Sequence, residues 1–201
     1  MHSAIYPSLT GKRVIVSGGG SGIGEAMVEA FARQGSAVGF VDILEEPSQQ
    51  LLQRLEDTGN PAHFLRCAIT DCDDYGEKIG SLIDLIGGCD VLINNAASDD
   101  RHTLDDITPA YWDERMAVNL KHQFFAAKTV IPAMQAAGGG VIVNMGSISW
   151  HLGLRDLVVY QTAKAAIEGL TRSLARELGR DNIRVNTIVP GNVQTPRQMR
   201  W

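Results

Sequence analysis

The chain has 201 residues, a net charge of −5, and 44% hydrophobic against 20% charged residues, the balance of a soluble globular protein with one core. It has no dense Lys/Arg run to suit nucleic acid or an anionic membrane, and no apolar run of about 18 residues to span a bilayer. Cys67, Cys72 and Cys89 lack C-x-x-C spacing and read as reduced, partly buried thiols of a cytoplasmic protein, while the five histidines do not cluster at metal-ligand spacing.

In chain order, Met1–Lys12 lacks the basic-then-apolar pattern of a secretory leader. Arg13–Ser17 is a β-branched run that stops at glycines. The spacing of Ile23, Met27, Ala30 and Phe31 predicts a helix over Ile23–Gln34, with Gly35 as its stop. A second strand is predicted at Ala37–Val41, and a helix over Pro47–Asp57 that ends at Thr58 and Gly59. His63–Ile69 is a weaker strand, and Asp71 opens a helix that runs to Ile86. Asp90–Ile93 forms an apolar strand before Asn94 and Asn95. A long helical stretch from Pro109 to about Ala137 is expected to break near Pro132. Val141–Met145 and Ile183–Val189 are strands on either side of a helix over Leu157–Leu178. Continuous apolar strands that alternate with helices predict an α/β chain: a doubly wound parallel sheet with helices on both faces, in one domain over residues 1–201.

Three features carry chemistry. Gly18, Gly19, Gly20, Gly22 and Gly24 lie between the first strand and the first helix, where the backbone can approach a ligand and a helix N-terminus can face a pyrophosphate. Asp42 ends the second apolar run, 18 residues after Gly24, and a carboxylate there can accept from the adenosine ribose hydroxyls and repel a 2′-phosphate. That favours NAD over NADP. Tyr160 and Lys164 are four apart on one helix face, 13 and 17 residues after Ser147. A cation beside the phenol would lower its pKa toward neutrality, so that it could exchange a proton with an alcohol or carbonyl oxygen.

Together these residues resemble the short-chain dehydrogenase/reductase family. Ser17–Gly24 resembles its T-G-x-x-x-G-I-G motif, with serine for threonine, and Asn94–Ala97 its N-N-A-G. Pro190, Gly191 and Thr195 resemble P-G-x-x-x-T, and Asn119, Ser147, Tyr160 and Lys164 its catalytic tetrad. The resemblance implies a Rossmann fold and NAD bound by Gly18, Ser21, Gly22, Ile23, Gly24, Asp42, Ile69, Asn94, Ala96, Tyr160, Lys164, Pro190, Gly191, Val193 and Thr195. It implies that Tyr160 takes a hydroxyl proton, Ser147 holds the same oxygen, Lys164 tunes the phenol and holds the nicotinamide ribose, and Asn119 supports a water that leads from Lys164 to solvent. It further implies a homotetramer.

Residues 94–102 and 146–153 and the start Ala4–Leu9 resemble a narrower branch, the bacterial NAD-dependent D-xylose dehydrogenases. The implied reaction oxidises the anomeric hydroxyl of an aldose to a lactone; another secondary alcohol or a sugar acid are alternative substrates. Substrate contacts are expected from Ser147, Ser149, Trp150, His151 and Tyr160, with Asp99, Asp100 and Arg101 as further candidates and Trp150 as a stacking surface for a sugar ring. Three departures stand out. Ala68 occupies the place of the family's adenine-binding aspartate, for which Asp71 is a candidate substitute, and Ala97 replaces a glycine and is expected to crowd the cofactor cleft. The chain is also shorter than family members, so the lid, last helix and seventh strand are expected to be absent. That leaves a second reading, a module that binds NAD without turnover.

Overall fold

A computed structural model of the chain describes residues 4–57, 59 and 61–200. Thr58, expected at a helix end, lies outside the described residues, as do residues 1–3 and 201.

Six strands form one parallel sheet: β1 (Arg13–Ser17), β2 (Ala37–Asp42), β3 (Ala62–Arg66), β4 (Val91–Asn94), β5 (Gly140–Met145) and β6 (Ile183–Ile188). Their order is β3-β2-β1-β4-β5-β6, so the order in which strands are added to the sheet reverses between β1 and β4. Helices α1 (Gly22–Arg33) and α2 (Glu45–Glu56) cover one face, with Val28, Ala32, Leu51 and Leu55 packed on Val14, Val16 and Phe40. The other face is covered by α3 (Cys72–Ile86), α5 (His122–Ala136) and α7 (Val158–Leu178). Two shorter helices, α4 (Pro109–Met116) and α6 (Ser149–Leu152), lie in the connections.

Central strands read as unbroken apolar runs because they are covered on both sides. Val14, Ile15 and Val16 of β1 are all fully buried, each stabilising the fold by about 1.5–3 kcal/mol relative to exposure. The weakest predicted strand, β3, is an edge, half-exposed along its length, and it stops at Arg66 rather than Ile69.

The helical stretch from Pro109 departs from expectation. Pro132 sits inside α5 without ending it. A proline costs a helix interior about 3 kcal/mol, but Val130 and Met134 on either side of it are fully buried, and burial on that scale offsets the loss. The irregularity falls instead at Ala117–Lys121, a π-helical turn between α4 and α5 that carries Asn119. No sequence signal marks it. π-turns recur at functional sites.

Candidate active site

Parallel doubly wound sheets bind ligands at the C-terminal ends of their strands, where the strand order reverses. Here that point is the end of β1 and β4. The glycine loop that leaves β1 turns at Gly18, whose φ is +67° and whose added Cβ would lie 2.8 Å from the Ala96 Cα. At Gly24 an added Cβ would lie 1.8 Å from the Gly18 carbonyl oxygen. The loop is therefore folded back on its own helix, and only hydrogen fits. Asn95 locks it. The Asn95 carboxamide donates to the Ser17 carbonyl at 3.1 Å and the Gly18 carbonyl at 3.0 Å. Ser17 Oγ accepts from Asn95 N and Ala96 N at 3.0 and 3.1 Å. The serine that replaces the family threonine thus still ties β1 to the strand after the reversal.

Ser21, at the N-cap of α1, makes no side-chain cap, which leaves the first-turn amides of α1 available to an anion. Asp42 is buried at the end of β2 and accepts from Gly20 N at 2.8 Å and Leu44 N at 2.9 Å. Each carboxylate oxygen keeps a further lone pair, so Asp42 has capacity for ribose hydroxyls. Backbone-lined loop, open helix terminus and positioned carboxylate together fit a dinucleotide.

The remaining cofactor candidates divide. Ala96 lies half-buried beside the loop, and Pro190, Gly191, Val193 and Thr195 follow β6 along an exposed segment. Ile69 is buried in the core. The Asn94 side chain is fully buried, donating to the Gln123 carbonyl at 3.1 Å and to Asn144 Oδ1 at 2.9 Å, so it knits β4 to α5 and β5 beneath the cleft. Ala97 is exposed rather than packed into the cleft floor. Asp71 has a structural role: its Oδ1 caps α3, accepting from Asp73 N and Asp74 N at 3.2 Å.

Helix α7 brings Tyr160 and Lys164 to one place. Tyr160 is half-buried, and the Ser147 hydroxyl is near enough to act on its phenol. The Lys164 side chain is buried, its Nζ donating to the Met145 carbonyl at 2.7 Å and standing 5.5 Å from the centre of the Tyr160 ring. The expectation that Lys164 draws the Tyr160 pKa down is not met by this geometry, because the amine engages a carbonyl of β5 and lies over the ring. Burial pushes the Tyr160 phenol up, against the lowering influence of the Ser147 hydroxyl; Asp99 acts with burial, while Arg197 and Arg101 oppose it. Burial also pulls Lys164 down to about 7, with Asp99 the opposing charge. The residue whose protonation changes near neutrality is thus the lysine.

Asn119 is fully buried. Its Oδ1 accepts from Ser98 N at 2.9 Å, and its Nδ2 donates to the Ser98 and Arg115 carbonyls at 3.0 Å. Its carboxamide therefore holds the loop after β4 to the π-turn.

Ser149 is buried and accepts from Ser147 Oγ at 2.9 Å. Trp150 and His151 are turned toward α7: Trp150 Nε1 donates to Glu168 Oε1 at 3.0 Å, and His151 Nε2 lies 3.2 Å from the same oxygen. Their rings face each other at 3.7 Å between centres, so one indole face is already covered. Asp99 and Asp100 are paired with Arg197, through Nε to Asp99 Oδ1 at 2.5 Å and Nη2 to Asp100 Oδ1 at 2.7 Å. Arg197 and Asn95 did not stand out as site residues in the sequence. Asn95 lies within the N-N-A motif, but Arg197 has no signal beyond its place just after Thr195.

The family model for short chain dehydrogenases matches residues 12–201. The chain belongs to the short-chain dehydrogenase family. D-xylose 1-dehydrogenase from Caulobacter vibrioides is 55% identical over 201 residues, covering 100% of this chain and 79% of that protein. A protein described as "Probable galactose dehydrogenase" from Rhizobium meliloti is 47% identical over 199 residues, 98% of this chain and 78% of its own length. Among solved structures, a 7α-hydroxysteroid dehydrogenase in complex with NADH and a bile acid superposes with a TM-score of 0.91 at 31% identity, over 96% of this chain and 75% of that one. A short-chain dehydrogenase oxidises a CH–OH carbon, or reduces the corresponding carbonyl, with a nicotinamide cofactor, and the glycine loop with Asp42 is a cradle suited to one. Among the described residues no helix is long and apolar enough to cross a membrane, and no cluster of His, Cys, Asp or Glu could hold a metal.

Proposed function

We propose that this protein is an NAD-dependent sugar dehydrogenase that oxidises the anomeric hydroxyl of D-xylose or a similar aldose to the lactone. The observation that carries the chemistry is the buried Lys164, whose Nζ stands 5.5 Å from the centre of the Tyr160 ring on one face of α7. The 55% identity along the whole chain to a D-xylose 1-dehydrogenase supports the substrate class.

The glycine loop, Asp42, Lys164 and Thr195 would hold the dinucleotide, whose nicotinamide supplies the hydride acceptor. In its phenolate form Tyr160 takes the proton from the substrate hydroxyl, and Ser147 donates to the same oxygen and steadies its developing charge. Lys164, held by the Met145 carbonyl, can share that proton because its own affinity for a proton lies near neutrality. Asn119 keeps the loop after β4 in register with this group. The buried Asp42 carboxylate supports NAD over NADP, since a 2′-phosphate would meet it as a like charge.

The same reading makes the enzyme cytoplasmic and a homotetramer. An apolar strip of Met116, Leu120, Phe124, Phe125 and Leu170, with Phe124 exposed, supports assembly through α5 and α7. The juxtaposition of Tyr160 and Lys164 also favours turnover over a cofactor-binding module without it.

The test is the appearance of NADH absorbance with a panel of aldoses, sugar acids and simple secondary alcohols. An aldose preference with a lactone product is expected, together with loss of about 10²–10⁴ in turnover for Tyr160→Phe at unchanged NAD affinity. Wild-type turnover in that variant would sink the proton-transfer role.

A further inference from the structure

Helix α7 begins without a local cap: Leu157 at its N-cap makes no side-chain hydrogen bond. Its first helical bond runs from Gln161 N to the Leu157 carbonyl at 2.8 Å, so the amides of Val158, Val159 and Tyr160 have no partner within the helix. Val159 is fully buried, and an unpaired amide there would cost about 1–3 kcal/mol. Its acceptor comes from 57 residues away: Val159 N donates to His102 Nε2 at 3.4 Å.

His102 is itself buried and held on every side. Its backbone N donates to the Asp156 carbonyl at 3.1 Å. Asp156 has a φ of +61°, a left-handed conformation rare outside glycine, so the turn that enters α7 is bent sharply and pinned by the same residue that caps the helix. The other ring nitrogen, Nδ1, lies 2.9 Å from the Tyr111 hydroxyl and 3.3 Å from the Asp100 carbonyl. The Tyr111 ring meets the imidazole edge-on at 5.2 Å.

We propose that His102 is a positioning residue for the proton-transfer tyrosine: in its Nδ1–H tautomer it caps the first turn of α7 and so sets where Tyr160 stands against Ser147. The tautomer follows from donor and acceptor chemistry. An amide N–H can only donate, so Nε2 must present its lone pair to Val159, and a neutral imidazole then carries its proton on Nδ1. A carbonyl oxygen and a phenol oxygen are both able to accept from that N–H. Tyr160 is the next residue after Val159, one peptide unit along a rigid helix, so a shift of the capped turn is passed directly to the phenol. Positioning errors on the order of 1 Å can cost about 10²-fold in rate. The proposal rests on the reading of Tyr160 as the proton acceptor.

The test compares His102→Leu, which has the bulk but no acceptor, with His102→Gln, whose carboxamide oxygen can accept near the Nε2 position. Expected for the Leu variant is a fall in kcat of about tenfold or more with NAD affinity within about twofold of wild type, and for the Gln variant recovery of most of that loss. In ¹⁵N spectra of the imidazole-labelled wild-type protein, His102 should show a protonated Nδ1 and a bare Nε2. A proton on Nε2, or wild-type kcat in the Leu variant, would overturn the proposal. If the Leu variant does not fold, the Gln variant decides alone: kcat retained supports the cap, and kcat lost with NAD binding intact refutes it. Wild-type protein without turnover on any aldose would count against the dehydrogenase reading, while the tautomer spectrum would still decide the cap.

Discussion

Gly24→Ala should damage cofactor binding more than any other single methyl added to the helices. The new Cβ would lie 1.8 Å from the Gly18 carbonyl oxygen and 2.6 Å from the Asn95 carboxamide nitrogen. Reaching the 3.4 Å of ordinary contact means parting helix and loop by about 1.6 Å (3.4 − 1.8). Overpacking of this kind costs about 1–3 kcal/mol. The displaced Asn95 also loses its two bonds to the Ser17 and Gly18 carbonyls, each contributing about 0.5–1.5 kcal/mol. The sum is about 2–6 kcal/mol, shared between stability and the loop's fit to a pyrophosphate. At least a tenfold rise in the NAD dissociation constant is expected, since that requires only about 1.4 kcal/mol. Gly80→Ala in α3 is the control, because nothing lies within 4 Å of its added Cβ. It should stabilise the protein by up to about 1 kcal/mol through helix propensity. Calorimetric NAD titration and urea unfolding of both variants measure these effects. If Gly24→Ala binds NAD within twofold of wild type and unfolds at the same urea concentration, the close approach of loop and helix plays no part in binding.

Lys164 makes stability depend on pH. Burial lowers it from 10.5 to about 7 in the folded state, so above pH 7 the unfolded chain binds more protons there and stability should rise with pH. The rise should show between pH 7 and about 8.5, before the buried thiols Cys67 and Cys89, pushed up to about 12, contribute the opposite sign; Lys164→Met should flatten it in urea titrations. His122 is fully buried, and burial, reinforced by Lys164 and opposed by the Ala96 backbone, lowers it from 6.5 to about 3. Its stabilising neutrality is lost as pH falls from 6.5 toward 3, so His122→Leu should be less acid-labile over that window in thermal melts. Asp42→Asn keeps an oxygen for the Gly20 or Leu44 amide but removes the charge. It should narrow the NAD-over-NADP preference in kcat/KM by about tenfold, roughly 1.4 kcal/mol of lost like-charge repulsion; an unchanged ratio would place the 2′-phosphate elsewhere.

The fold was legible where local pattern and burial agree. Strands β1, β2, β4 and β5 are covered on both faces and so announce themselves as apolar runs, and Asp71 and Gly87 bracket α3 with local capping chemistry. The reading failed where a long-range contact overrides local preference. Pro132 is a helix breaker by sequence, yet the burial of its neighbours carries α5 through it. Trp150 reads as a free aromatic in a loop, yet Glu168, 18 residues on, turns it toward α7. Lys164 does stand beside the phenol ring, as its spacing implies, but its donation to the Met145 carbonyl 19 residues before it was not legible.

Sequence alone determined which residues match the family's motifs: a glycine loop between strand and helix, an aspartate after the second strand, and a tyrosine and lysine one helical turn apart. Those are local spacings, and helix and strand periodicities convert them into faces without further information. Only the tertiary structure decided what each group experiences. The proton affinities of Tyr160 and Lys164 follow from burial, the loop is held by Asn95 from the neighbouring strand, and the amide before Tyr160 is capped by His102. Desolvation and hydrogen bonding are set by whichever atoms the fold brings within a few ångströms, and here those atoms come from strands and loops as far as 98 residues away along the chain.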